Sequence, residues 1–190
     1  MTAPQTLIHW ILVASSAAAV IFFAAGLTSY FETPRARSPW VRAIHDTTRG
    51  LSLLHLALVF VIPPRSYAWA VAGIACYTLA VAIFLSAIET ARRTRLQRAF
   101  IDEPLPDRLI TDGVFHWVRH PFYVGYMLGA LAGPLAVNSV ALAVLATVMI
   151  GITIAAARRE ERVWLASPKG EAYRKYREGT GMFFPFIGRG

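Results

Sequence analysis

Residues 121–157 read PFYVGYMLGALAGPLAVNSVALAVLATVMIGITIAAA, a stretch without one charged side chain. A helix that crosses a bilayer takes about 20 residues, so this stretch is too long for a single crossing. Pro134 and the polar neighbours Asn138 and Ser139 interrupt it. The pattern predicts a tight hairpin of two membrane helices, 122–137 and 140–157. Outward toward the N-terminus, apolar runs at 7–27 and 68–88 predict two further spans, and a shorter run at 47–62 predicts another. Nothing basic precedes the first run, and it exceeds the roughly 7–15 apolar residues of a signal peptide. It is therefore expected to stay as a membrane helix.

The composition of the whole chain fits that reading. Of 190 residues 56% are hydrophobic and 16% charged, where a soluble domain carries roughly 25% charged residues. The mean hydropathy of +0.48 excludes a disordered chain and a water-soluble enzyme. The 19 Lys and Arg are grouped between the runs: four from Arg35 to Arg49, Arg65 alone, six from Arg92 to Arg119, and eight from Arg158 onward. Alternate segments thus hold 18 against 1, and the positive-inside rule places the first set in the cytoplasm. The expected fold class is all-α: an integral membrane protein with five transmembrane helices, its N-terminus outside. Residues 158–178 should form a polar helical tail in the cytoplasm, with a turn at Ser167 to Gly170. No repeat is visible, and a single membrane domain over 1–190 is expected, with 1–90 a three-helix part and 91–190 the part that carries chemistry.

The net charge of +8 flanks the spans, which is where anionic lipid draws basic residues; membrane lipid, not nucleic acid, is the expected partner. One cysteine, Cys76, in an apolar run excludes an internal disulfide and a cysteine zinc cluster. Five scattered histidines without HExxH give no metal site. His9 and His45 read as ordinary. His55, inside the second span, either bonds a neighbouring helix, the favoured reading, or lines a cavity. Gly125, Gly129 and Gly133 recur every fourth residue, a stripe that lets helices approach closely or leaves a cleft.

Polar chemistry concentrates in two places. Leu109 to Tyr126, LITDGVFHWVRHPFYVGY, holds a turn at Asp112 and Gly113, the polar groups His116, Arg119 and His120, and five aromatic residues. Arg158, Arg159, Glu160 and Glu161 follow the fifth span. The predicted hairpin brings both groups to one membrane face, where two carboxylates, a histidine, an arginine and aromatic rings form a polar ligand site. Arg119 or His120 suits an anionic ligand group and Glu160 or Glu161 a cationic one.

These residues also carry a resemblance. The string GVFHWVRHPFYVG, an uncharged helical hairpin, the Glu160 and Glu161 pair, then Gly170, Tyr173 and Tyr176 at intervals of three and Phe184 with Pro185, together resemble the isoprenylcysteine carboxyl methyltransferase family and its bacterial relatives. The resemblance covers about residues 107–186. It implies an integral-membrane methyltransferase that binds S-adenosylmethionine between the last two spans and the cytoplasmic tail, with a lipophilic or small acceptor. Carried over by motif, cofactor contacts fall on Asp107, Arg108, Leu109, Ile110, Phe115, His120, Pro121, Phe122, Tyr123 and Glu160, with Arg119 and Glu161 beside them. Arg159 and Glu160 are the candidate catalytic residues. Phe115 stands where members often have tyrosine. Ala156 stands where the prenylcysteine enzymes have an arginine for the acceptor carboxylate, so the acceptor stays open among a carboxylate, a thiol and a lipid. Seventeen Arg to two Lys suggests a bacterial cytoplasmic membrane. Two other readings stay open: a sterol-reductase-like enzyme that uses NADPH, and a non-enzymatic small membrane protein of the NnrU type.

Overall fold

The computed structural model describes residues 3–29, 39–92 and 109–187. Six α-helices follow in order: α1 Ala3–Ser29, α2 Pro39–Val61, α3 Tyr67–Ala91, α4 Pro121–Ala136, α5 Val140–Ala166 and α6 Gly170–Gly179, with a single 3₁₀ turn at Gly113–His116 before α4. Among the described residues β structure is confined to two isolated bridges, Val118 with Gly181 and Phe184 with Ile187.

The hairpin falls where its punctuation places it. Pro121 opens α4 at its first turn, where a missing N–H costs nothing. Pro134 lies in the last turn, and the Ser139 hydroxyl caps α5 by accepting the Leu142 N–H at 3.3 Å. Ser66 caps α3 through the Trp69 N–H. At Gly113 the backbone takes φ +56, the left-handed region open to glycine, so the Asp112 and Gly113 pair forms the expected turn.

α3 packs against α4 and α1, and α5 packs back on α4. The glycine stripe of α4 is a packing seam. A Cβ at Gly125 would stand 3.1 Å from the Ala80 carbonyl on α3, one at Gly129 3.0 Å from the Phe23 ring on α1, and one at Gly133 2.6 Å from the His55 ring on α2. Successive turns of one helix therefore meet three different neighbours, and no cleft opens along the stripe. His55 is bonded to the adjacent helix as favoured: its Nε2 lies 2.7 Å from the Tyr77 hydroxyl, both buried. His9 meets the Phe60 carbonyl at 3.1 Å, and the Cys76 thiol donates to the Leu128 carbonyl.

Among the described residues three helices are long and apolar enough to cross a membrane: Pro4–Gly26, Tyr67–Ala91 and Val140–Ala166. α2 begins at Pro39, ahead of its apolar run at 47–62, because its first turns mix apolar residues with Arg42, His45 and Asp46. There Asp46 and Arg49 pair at 2.9 Å on the exposed surface. α4 spans 16 residues, about 24 Å of helix at 1.5 Å per residue. α5 runs on as helix beyond Ala157, so Arg158 to Glu161 stand on a rigid extension of the apolar segment.

Candidate functional site

At the start of α4 the residue before Pro121 lies outside the helical region, as a residue ahead of proline does, with His120 at φ −126 and ψ 61. This segment meets the chain that follows α6. The Arg119 N–H donates to the Gly181 carbonyl at 2.8 Å and the His120 N–H to the Met182 carbonyl at 3.3 Å. The pairing turns the Arg119 and His120 side chains toward α5.

Arg119 is buried with Glu161. Its Nε donates to Glu161 Oε1 at 2.7 Å, and Nη1 donates to the carbonyls of Thr180 and, at 3.4 Å, Arg177. His120 Nε2 lies 3.2 Å from the same Glu161 oxygen, and Arg177 Nε lies 3.8 Å from the other. Glu161 stands on α5 four residues beyond Ala157, where the uncharged run ends. Burial there raises its carboxyl pKa, but the hydrogen bonds from His120 and Arg119 and their charges outweigh burial and bring it down to about 2. Glu161 is thus a buried anion whose Oε1 is shared by Arg119 and His120.

Glu160 differs. Its side chain is 45% exposed, the Tyr123 hydroxyl donates to its Oε2 at 3.2 Å, and His120 Nδ1 lies 3.9 Å away. The His120 ring is stacked on Tyr123 at 5.4 Å between centroids and met by Phe183 at 5.9 Å. The imidazole is packed between neighbouring rings, and its nitrogens lie nearest the two glutamates, Nε2 to Glu161 and Nδ1 to Glu160. Behind this cluster Trp164 stacks on Tyr173 with 8° between the rings, and the Tyr176 hydroxyl donates to the Phe115 carbonyl at 2.5 Å. Burial pushes both the Tyr173 and Tyr176 phenols up, so they act as neutral donors.

The residues singled out in the sequence therefore separate. Arg119, His120, Tyr123, Glu160 and Glu161 converge. Ile110, Phe115 and Phe122 instead pack with Phe84, Ala87, Ile88 and Ala91, and Pro121 is fully buried: these side chains build the wall beneath the polar cluster. Leu109 is half-buried at its edge and Arg159 half-buried on α5. Asp107 and Arg108 lie outside the described residues. Ala156 is buried among helices. Trp164, Arg177, Thr180 and Phe183 were not singled out by the sequence. Thr180 acts through its carbonyl, which every residue type possesses, and Arg177 reads as one more cation in a basic tail.

An exposed carboxylate flanked by aromatic rings and set on a buried, neutralised ion pair suits a small cationic ligand. A sequence profile of the phospholipid methyltransferase family matches residues 68–169, from the first turn of α3 through the Glu160 and Glu161 pair. The chain is 29% identical over 79 residues to a protein-S-isoprenylcysteine O-methyltransferase of Schizosaccharomyces pombe, covering 42% of this chain and 34% of that protein. It is 36% identical over 87 residues to a methanethiol S-methyltransferase of Crocosphaera subtropica, covering 46% of this chain and 33% of that protein. The chain matches about a third of the length of these curated relatives. Both are named as methyltransferases, which does not favour the reductase or the non-enzymatic reading.

Proposed function

The chain belongs to the phospholipid methyltransferase family, and from that premise we propose that it transfers a methyl group from S-adenosylmethionine to a small or lipophilic acceptor. The observation that carries the assignment of the site is the unequal state of the two glutamates: Glu161 is consumed by Arg119 and His120, while Glu160 is exposed beside Tyr123. Glu160 is the carboxylate for the amino group of the cofactor. Tyr123 offers a ring to a sulfonium, and Arg159, on the same turn as Glu160, faces the carboxylate. Arg119, already paired, serves the site by holding Glu161. Leu109, Ile110, Phe115, Pro121 and Phe122 form the wall behind it, and residues 91–190 form the cofactor-binding part on a three-helix support.

When bound, S-adenosylmethionine supplies an electrophilic methyl group on a cationic sulfur. Methyl transfer to an anionic or thiolate acceptor is an in-line displacement, and the chain contributes chiefly orientation and exclusion of water. The fixed His120 ring and the Glu160 carboxylate orient, and the tail held over them excludes water. The acceptor class that agrees with Ala156, a side chain without charge, is a thiol or a lipid, not a carboxylate. Of the relatives' names, methanethiol S-methyltransferase fits that class, whereas the isoprenylcysteine enzyme is named for transfer to oxygen.

The five-span arrangement follows from the same reading, with α2 and α4 as the shorter spans, the N-terminus outside and the site at the cytoplasmic face of a bacterial membrane. Titration calorimetry of the purified protein with S-adenosylhomocysteine, with NADPH as the comparison ligand, tests the assignment. Micromolar binding of the first alone is expected. Binding of neither would remove the enzyme reading, and binding of NADPH alone would replace it.

A further inference from the structure

The tail that closes the site carries an exposed apolar tip. After Gly181 the chain doubles back: the Met182 N–H donates to the Ile187 carbonyl and the Ile187 N–H to the Phe184 carbonyl. Phe186 sits at φ +67, the left-handed region that disfavours a side chain other than glycine. The strain sets Phe184, Phe186 and Ile187 outward, 63–66% exposed. Trp117, 53% exposed, lies edge-on to Phe186 at 6.2 Å.

A second exposed aromatic group marks the opposite end of α4. The Arg65 N–H donates to the Ala136 carbonyl at 2.9 Å, the Arg65 guanidinium lies over the Trp69 ring at 5.5 Å, and Tyr67 and Trp69 are exposed. The 16 residues of α4 separate the two groups by about 24 Å. Trp117 stands four residues ahead of the helix, which brings the spacing toward the roughly 30 Å of a bilayer's hydrocarbon layer. Aromatic residues gather at those two boundaries. On the side of the tip, residues 158–178 hold seven Lys and Arg against four Glu, the sign that complements anionic lipid.

We propose that Trp117 and the hairpin tip at Phe184, Phe186 and Ile187 form an anchor seated in the headgroup layer of an anionic bilayer surface. The same backbone accepts the N–H groups of Arg119 and His120 at Gly181 and Met182, so seating the tip in lipid steadies the polar cluster. The anchor stands on the membrane reading of the helices and is independent of methyl transfer.

The test uses the full chain in nanodiscs. Phe186→Cys and, as a control on α6, Glu178→Cys are made in a Cys76→Ala background and labelled with an environment-sensitive fluorophore. In discs containing phosphatidylglycerol, lipids brominated just below the headgroup should quench the label at 186 several-fold more than the one at 178, and aqueous iodide should do the reverse. Replacing phosphatidylglycerol by phosphatidylcholine should weaken the difference. Equal access of iodide to both labels would overturn the anchor. So would protection that grows with protein concentration in lipid-free detergent, which would mean a second copy, or insensitivity to phosphatidylglycerol. On the unmodified chain, amide exchange at Met182 and Ile187 should slow several-fold in the anionic discs, and unchanged exchange overturns the proposal even if the labelled variants fail to fold.

Discussion

Replacing Arg119 by methionine keeps its length and removes its charge, which leaves Glu161 buried with its strongest partner gone. The guanidinium donates to Glu161 at 2.7 Å and to the carbonyls of Arg177 and Thr180. Breaking one side of a buried pair costs about 3–5 kcal/mol. His120 at 3.2 Å and Arg177 at 3.8 Å remain, so the lower end, about 3 kcal/mol, applies. At about 2–4 °C per kcal/mol for a chain of this size, melting should fall by roughly 10 °C. The assay is thermal unfolding in nanodiscs followed by near-ultraviolet circular dichroism, which reports the stacked Trp164 and Tyr173. Arg119→Met with Glu161→Leu should melt higher than Arg119→Met alone, since no charge is then stranded. A single variant that melts with the parent, or a double variant that melts below both singles, would refute the view of Glu161 as a buried, compensated anion.

Acid should act on the same pair. The Glu161 carboxyl is held at about 2 against an ordinary 4.5, so its stabilisation is fully present above about pH 4.5 and is lost as pH falls toward 2; unfolding against pH should show that limb in the parent and a shallower one in Arg119→Met. Glu160→Gln should leave melting unchanged and weaken S-adenosylhomocysteine binding about tenfold, the loss of one partly exposed charge-assisted bond; unchanged affinity by calorimetry would sink the ligand role of Glu160. Gly133→Ala, with its new Cβ 2.6 Å from the His55 ring, should destabilise by about 1–3 kcal/mol, whereas Gly151→Ala, with nothing within 4 Å, should not lower melting. Tyr77→Phe strands His55 Nε2 in the bundle and should cost about 1–3 kcal/mol by the same assay.

The α4 and α5 hairpin was legible because two physical signals coincide in it: an absence of charge over residues 121–157, and a proline and capping serine that break the helix where the chain must turn. The start of α2 was not legible, because an apolar run marks where a helix meets lipid or core and is silent on mixed, charge-bearing turns such as Pro39 to Asp46 that extend it. The site was legible as a set of residue types at one face. Its division of roles was not. Neighbouring residues on a helix diverge by about 100°, so the sequence establishes that Glu160 and Glu161 face different surroundings and leaves open which surroundings. That choice is made by Arg119 and by backbone carbonyls at 177 and 180, distant in sequence and without a side-chain signature. Phe115 and Phe122 stand next to the polar motif in sequence yet pack into the wall with Phe84, as an apolar ring does when the opposite face is polar.

The buried pair of Arg119 and Glu161 also bears on how such chains diverge. A change at either position alone strands a charge and is removed by selection for folding, so the two positions are bound to drift together, both kept or both exchanged for apolar residues of similar bulk. Position 160 is under no such bond and, on the proposed function, answers to the ligand. In an alignment of relatives, positions 119 and 161 should covary as a coupled unit of folding, and position 160 should instead follow the ligand.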